Sequence, residues 1–128
     1  MYNEVLLDHN MHPQHKEGEI TGAEKYELIN ASCGDKYVLY VAMNGDKIAT
    51  ASFDGHGCAI SQASMDVMVD LIIGKSLDEA TELAEKFGLL IQTGETQAEL
   101  GDANALRDVS KMPARVKCAE LAWSWLNR

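Results

Sequence analysis

The chain has 128 residues, 46% of them apolar, with three cysteines and a formal net charge of −9. That length suits one domain over residues 1–128 with a core able to fold unstapled, and the acidity, with no Lys/Arg cluster to offset it, excludes nucleic acid and disfavours an anionic membrane as partner. Three cysteines cannot make a complete disulfide framework, no apolar run approaches a membrane span, and the opening Met1-Tyr2-Asn3-Glu4 lacks a signal-peptide pattern, so the expectation is a cytoplasmic protein with reduced thiols.

In chain order, Tyr2, Val5, Leu6 and His9 recur at helical spacing and predict a short amphipathic helix that stops before Pro13. The polar, Gly-containing stretch 12–24 reads as loop. Lys25 to Ala31 and Lys36 to Met43 read as strands, the second rich in β-branched and aromatic residues. Asn44-Gly45 supplies a pair suited to a tight hairpin turn, and Lys47 to Phe53 returns as the partner strand. Ile60, Ala63, Val67, Met68, Leu71 and Ile72 follow the i, i+3, i+4, i+7 rule of a helix capped by Gly74. Ser76 with Glu79 forms a capping box for a helix carrying Leu77, Ala80, Leu83, Ala84 and Phe87, extending toward Ile91. A polar segment spans 93–102, and a short helix is predicted over Ala103 to Val109. Pro113 opens a final helix whose polar residues, Lys117, Glu120, Ser124 and Asn127, form one narrow stripe. A helix, a three-stranded antiparallel meander and then several helices packed on one face make an α+β fold.

Each cysteine falls near the end of an element. Cys33 follows the first strand in Ser32-Cys33-Gly34-Asp35, Cys58 follows the third in Gly55-His56-Gly57-Cys58, and Cys118 lies near the start of the final helix. Free cysteines are often small buried hydrophobes. Gly34, Gly55 and Gly57 argue against that for the first two, because a ligand loop needs close backbone approach and a packed core residue does not. Cys58 also stands where a helix begins, and the unpaired N–H groups there favour a thiolate. Three thiolates need a fourth donor for a closed tetrahedral zinc site. Asp35 and His56 are both close in sequence, and spacing favours neither. The ligands lie tens of residues apart, unlike those of a zinc finger.

These motifs carry a resemblance. Asp8-His9 with Pro13, Asn30-Ala31-Ser32-Cys33-Gly34-Asp35, Gly57-Cys58-Ala59-Ile60-Ser61-Gln62-Ala63-Ser64, Gly74-Lys75-Ser76-Leu77 and Pro113-Ala114-Arg115-Val116-Lys117-Cys118 together resemble the IscU/SufU (NifU N-terminal-like) family of iron–sulfur cluster assembly proteins over nearly the whole chain. Lys117, where the scaffold-type branch has histidine, and the long segment between Gly74 and Pro113 resemble the zinc-holding SufU branch. Ala31, where proline is common, and Gln14-His15 after Pro13 depart from the pattern outside the ligand set.

The resemblance implies a Zn2+ site of Cys33, Asp35, Cys58 and Cys118, with His56 a second choice for the fourth ligand. It implies a pyridoxal-phosphate cysteine desulfurase of the SufS kind as sulfur donor and further cluster assembly components downstream. Cys33, in a Gly-bearing loop, is the expected sulfur acceptor, and Arg115 is expected to offset the negative charge of a thiolate-rich centre or to steer the partner. A scaffold holding iron as a transient [2Fe–2S] cluster on the same ligands is the nearest alternative. A zinc hydrolase or deaminase is more distant, because neither H-E-x-x-H nor H-x-E with P-C-x-x-C is present. A purely structural zinc domain is a further alternative. Gly74-Lys75-Ser76 is not a P-loop, since Val69 stands where the first glycine belongs.

Overall fold

The computed structural model describes residues 3–127; Tyr2, read as part of the first helix, lies outside the described residues. Helix α1 spans Glu4–Met11. Asn3 caps it, its side-chain oxygen accepting the Leu6 N–H at 2.9 Å, and the chain leaves the helix at His12, just ahead of Pro13. Only Leu6 and His9 are buried. Val5 is solvent-exposed, because two helical turns offer the core one narrow stripe.

The loop after Pro13 is irregular as expected, but it runs beside the sheet. Phe53 donates its N–H to the His15 carbonyl at 3.0 Å, and Gly18 donates back to the Phe53 carbonyl at 3.3 Å. The Ser52 hydroxyl bonds the Gly18 carbonyl at 2.7 Å. These contacts cover part of an edge that would otherwise expose unpaired backbone groups.

Strands β1 (Glu24–Asn30), β2 (Asp35–Asn44) and β3 (Lys47–His56) form an antiparallel meander in the order β1-β2-β3. Alternation sends Tyr37, Leu39 and Val41 to one face, joined by Leu28, Ile48, Ala51 and Phe53. The β2–β3 turn falls one residue later than Asn44-Gly45. Asn44 pairs with Lys47, so Gly45 and Asp46 are the two loop residues. Gly45 has φ 64°, whereas among the described residues none other than glycine has positive φ. A turn with glycine first asks this of one residue only, which spares Asn44 a left-handed conformation. A bulge follows: Ala42 faces Thr50 and Met43 faces Ile48, leaving Ala49 as the extra residue. Ile48 and Ala51, three apart, therefore both reach the core. β3 also runs past Phe53, with Gly55 opposite Tyr37 and His56 opposite Lys36. At Gly55 (φ 121°) a Cβ would lie 2.2 Å from the Lys36 carbonyl oxygen, so only glycine carries the ladder through.

Helices cover the inner face. α2 (Ala59–Ile72) is buried on nearly all sides. α3 (Leu77–Thr93) starts with the expected Ser76/Glu79 capping box and ends at Gly94 (φ 78°); its first residue, Leu77, is exposed. The next segment departs from expectation. Instead of a polar loop to residue 102, 3-10 turns run over Ala98–Lys111, broken at Gly101, and the Asn104 side chain bonds both backbone groups of Gln97. The final helix is three pieces: 3-10 turns at Pro113–Arg115 and Leu121–Asn127 flank the short α4, Val116–Glu120. Over so few turns an apolar pattern cannot separate i+3 from i+4 hydrogen bonding. Its polar stripe is as predicted, with Lys117 and Asn127 exposed, Glu120 and Ser124 half-buried, and Cys118, Trp123 and Trp125 buried. Trp125 packs on Tyr26 with ring centroids 5.2 Å apart, and Trp123 on Phe87 at 5.6 Å.

An ionic clasp, buried at His9 and Asp66 and exposed at Asp102, joins α1 to the rest. His9 Nδ1 lies 2.6 Å from Asp66 Oδ2 on α2, and His9 Nε2 lies 2.9 Å from Asp102 Oδ2. Asp66 is fully buried and also accepts the His15 N–H at 2.8 Å. Carboxylates only accept, so both ring nitrogens must carry protons and His9 is an imidazolium. Burial alone would lower its pKa; the bonds to Asp102 and Asp66 and their charges outweigh this and hold it above the ordinary 6.5. A raised folded-state pKa means stability that is complete below the unfolded value and lost as pH rises through the folded one. His9→Gln is therefore expected to cost on the order of 3 kcal/mol near pH 6, and the gap between variant and parent in thermal melts should narrow as pH rises through the folded-state pKa. A gap independent of pH would show that His9 is not held as a cation.

Candidate metal centre

The β1–β2 ladder ends on the pair Asn30–Asp35, so residues 31–34 are a loop at the end of the sheet. Cys33 closes its turn by donating its N–H to the Asn30 carbonyl at 3.3 Å, and Gly34 (φ 72°) swings the chain back into β2. This leaves Cys33 half-buried in the loop and Asp35, 1% exposed, on the inward face of β2. α4 brings Cys118 to the same place. It is tied to α2 by the Ser64 hydroxyl, which bonds the Ala119 carbonyl at 2.6 Å. The Cys118 and Cys33 sulfurs lie 3.0 Å apart, and the donor atoms of Cys33, Asp35 and Cys118 all lie within 4.8 Å of one another.

Cys58 is the N-cap of α2, and its Sγ accepts the Ser61 N–H at 3.4 Å. Its own N–H donates to Asp35 Oδ1 at 3.0 Å. It thus adjoins the three-donor cluster, held to it through the backbone, while its sulfur faces the helix end. His56 is exposed at the end of β3 and outside that cluster. Arg115 is half-buried in the 3-10 turn ahead of α4, rather than on the helix that carries Cys118, and Lys117 is exposed.

Four further residues complete the surroundings. The Ser61 hydroxyl lies 3.0 Å from Asp35 Oδ1, and the Tyr37 hydroxyl lies 2.9 Å from Ser61 Oγ. Asn30 Nδ2 reaches Asp35 Oδ2 at 3.3 Å and Cys118 Sγ at 3.7 Å. Gly57 closes over them: a Cβ there would meet Ser61 Oγ at 2.4 Å, Asp35 Oδ1 at 2.5 Å and Tyr37 Oη at 2.6 Å. Asn30, Gly57 and Ser61 belong to the motifs that carry the resemblance, but their contacts are not readable there. Tyr37 had a signal, since it is two residues from Asp35 on one strand and so shares its face.

Acidic groups are crowded here in a poorly hydrated place. Burial pushes the Cys118 thiol well up, and the neighbouring Cys33, the Cys58 charge and Asp35 push it further. Tyr37 is raised as well, chiefly by burial. Two soft sulfurs and a hard carboxylate, each better off deprotonated beside a cation, are a donor set suited to a thiophilic ion such as zinc or iron.

The fold and this centre define a class: a helix-backed three-stranded meander with a cysteine-rich, metal-competent cluster at one sheet end. The NifU-like N terminal domain model matches residues 1–124. The chain is 44% identical to the iron–sulfur cluster assembly scaffold protein IscU of Streptococcus pyogenes serotype M1, over 99% of this chain and 80% of that protein. It is 37% identical to the zinc-dependent sulfurtransferase SufU of Bacillus subtilis, over 100% of this chain and 88% of that protein. A crystal structure from Fervidobacterium islandicum AW-1, described as a cluster assembly scaffold protein for the SUF system, superposes with a TM-score of 0.89 at 39% identity, covering 98% of this chain and 93% of that one. The chain belongs to the IscU/SufU family of iron–sulfur cluster assembly proteins.

Gly57→Ala tests how tightly the centre is packed. Three polar atoms would have to give way, so a loss of about 1–3 kcal/mol in denaturant unfolding is expected. An unchanged midpoint would mean that the cover over Asp35 is loose.

Proposed function

We propose that this protein is a zinc-holding sulfur acceptor that takes persulfide sulfur from a cysteine desulfurase. The observation that carries the reading is the convergence of Cys33, Asp35 and Cys118 at the open end of the sheet. Cys58, whose backbone already bonds Asp35, is the fourth donor. Bound zinc would hold the thiolates deprotonated at neutral pH and shield them from oxidants. Similarity to the Bacillus subtilis sulfurtransferase supports zinc as the resident ion.

Among the three thiols, Cys33 is the one suited to leave and return. Cys118 is fully buried on α4 and Cys58 caps α2, whereas Cys33 sits half-buried in a four-residue loop with Ala31, Ser32 and Gly34 exposed around it. Its thiolate attacks the outer sulfur of the donor's persulfide. The S–S bond breaks, the donor cysteine departs as thiolate, and Cys33 becomes the persulfide with no net oxidation. Arg115, in the turn before α4, would offset negative charge or meet the partner. The chemistry requires reduced thiols, which suits a cytoplasmic setting with downstream assembly components as recipients. No helix among the described residues is long and apolar enough to cross a membrane.

A second reading, a scaffold that assembles a transient [2Fe–2S] cluster as cargo on the same residues, is favoured by the similarity to the streptococcal IscU protein. Absorption separates the two: freshly purified zinc protein is colourless, whereas a cluster absorbs in the visible. With a desulfurase and cysteine, Cys33→Ala is expected to abolish sulfur loading measured by intact mass, and Asp35→Ala to retain loading chemistry while losing zinc to a chelator more readily. Normal persulfide formation on the Cys33 variant would move the acceptor role elsewhere.

A further inference from the structure

Asp35 is nearly completely buried, yet its two oxygens are treated differently. Oδ1 takes the Cys58 N–H and the Ser61 hydroxyl, each at 3.0 Å. Oδ2 accepts from the Asn30 amide at 3.3 Å, and that amide also reaches Cys118 Sγ. Oδ2 is therefore the oxygen on the Cys118 side.

The Ser61 hydroxyl has a single proton and, besides Tyr37 Oη, two acceptors within reach, Asp35 Oδ1 at 3.0 Å and the Cys58 carbonyl at 3.1 Å. Tyr37 Oη, 2.9 Å from Ser61 Oγ, supplies the missing order. Tyr37 is fully buried among Phe53 and the rest of the core, so its proton has to go to a nearby acceptor. If it goes to Ser61 Oγ, Ser61 turns its own proton to an acceptor, and the charged carboxylate is the stronger of the two. Gly57 seals this chain from above.

We propose that Tyr37 and Ser61 are positioning residues, a buried hydroxyl relay that commits Oδ1 of Asp35 to protein donors and presents Oδ2 alone to the metal ion. This deepens the metal-site reading and rests on it. The relay fixes the carboxylate's orientation before an ion arrives, and it keeps Oδ1 from competing for a second coordination position. Removing an outer partner of this kind typically weakens metal affinity by about 10–100-fold.

The test is zinc affinity by competition with a chromophoric chelator, run on the full chain. Ser61→Ala is expected to lose about tenfold in affinity, and Tyr37→Phe, which keeps the ring and the packing, a few-fold. Ser61 also touches Cys58, so the deciding comparison is made in an Asp35→Ala background. There the Ser61→Ala and Tyr37→Phe effects should vanish, because the group they act through is gone. Wild-type affinity in both single variants, or an equal loss with and without Asp35, would overturn the relay while leaving the metal site standing. A wild-type protein that takes up no stoichiometric zinc would overturn both.

Discussion

A carboxylate buried at the end of a β-sheet is the constraint around which this protein is organised. Asp35 has lost its water, and a charged group in that position is tolerated only with several donors or a counter-ion. The structure gathers the donors from three elements: the Cys58 N–H at the start of α2 with the Ser61 hydroxyl one turn on, the Asn30 amide at the end of β1, and Tyr37 of β2 behind Ser61. Gly57 exists as glycine because any side chain would strike three of these atoms. Without a cation the buried Cys118 thiol is driven toward its protonated form. The same crowding that makes the metal-free centre unfavourable makes it a good host for a thiophilic cation.

Helix α2 links that centre to the rest of the molecule. Its first turn holds Asp35, its middle holds the second buried carboxylate, Asp66, and its Ser64 hydroxyl anchors the segment bearing Cys118. Asp66 is satisfied in a different way, by the His9 imidazolium and the His15 backbone N–H. One buried carboxylate thus has a resident cation from the chain itself. The other has only neutral donors, and its unmet charge is what a metal ion would answer. That contrast separates a carboxylate satisfied by a cation of the chain from one that has only neutral donors, both of them at the same helix.

Much of the architecture was legible because it depends on periodicity. The two-residue alternation in β2 and the 3.6-residue repeat in α2 each predict which face is buried, and Ser76 with Glu79 announces the start of α3 through local hydrogen bonding alone. Errors arose where one residue's shift changes no pattern. Asn44-Gly45 and Gly45-Asp46 are equally good turn pairs by composition, and the extra residue Ala49 shows only once β2 and β3 are paired. The extension of β3 through Gly55 was hidden because glycine reads as a breaker until a neighbouring strand approaches too closely for a Cβ. Val5 and Leu77 look apolar enough for the core, but their helices had no partner on that side.

The amino-acid sequence by itself determined the order of elements, the placement of each cysteine near a strand or helix end, and the motifs that mark the family. Those follow from interactions within a few residues, which the chain carries wherever it goes. Only the tertiary structure decided that Cys33 and Cys118, 85 positions apart, come within 3.0 Å, that the Cys58 sulfur caps a helix beside them, and that Tyr37 and Ser61 stand behind Asp35. Such contacts join segments whose relative placement is set by packing the whole core, and no local pattern encodes which two atoms that packing will bring together.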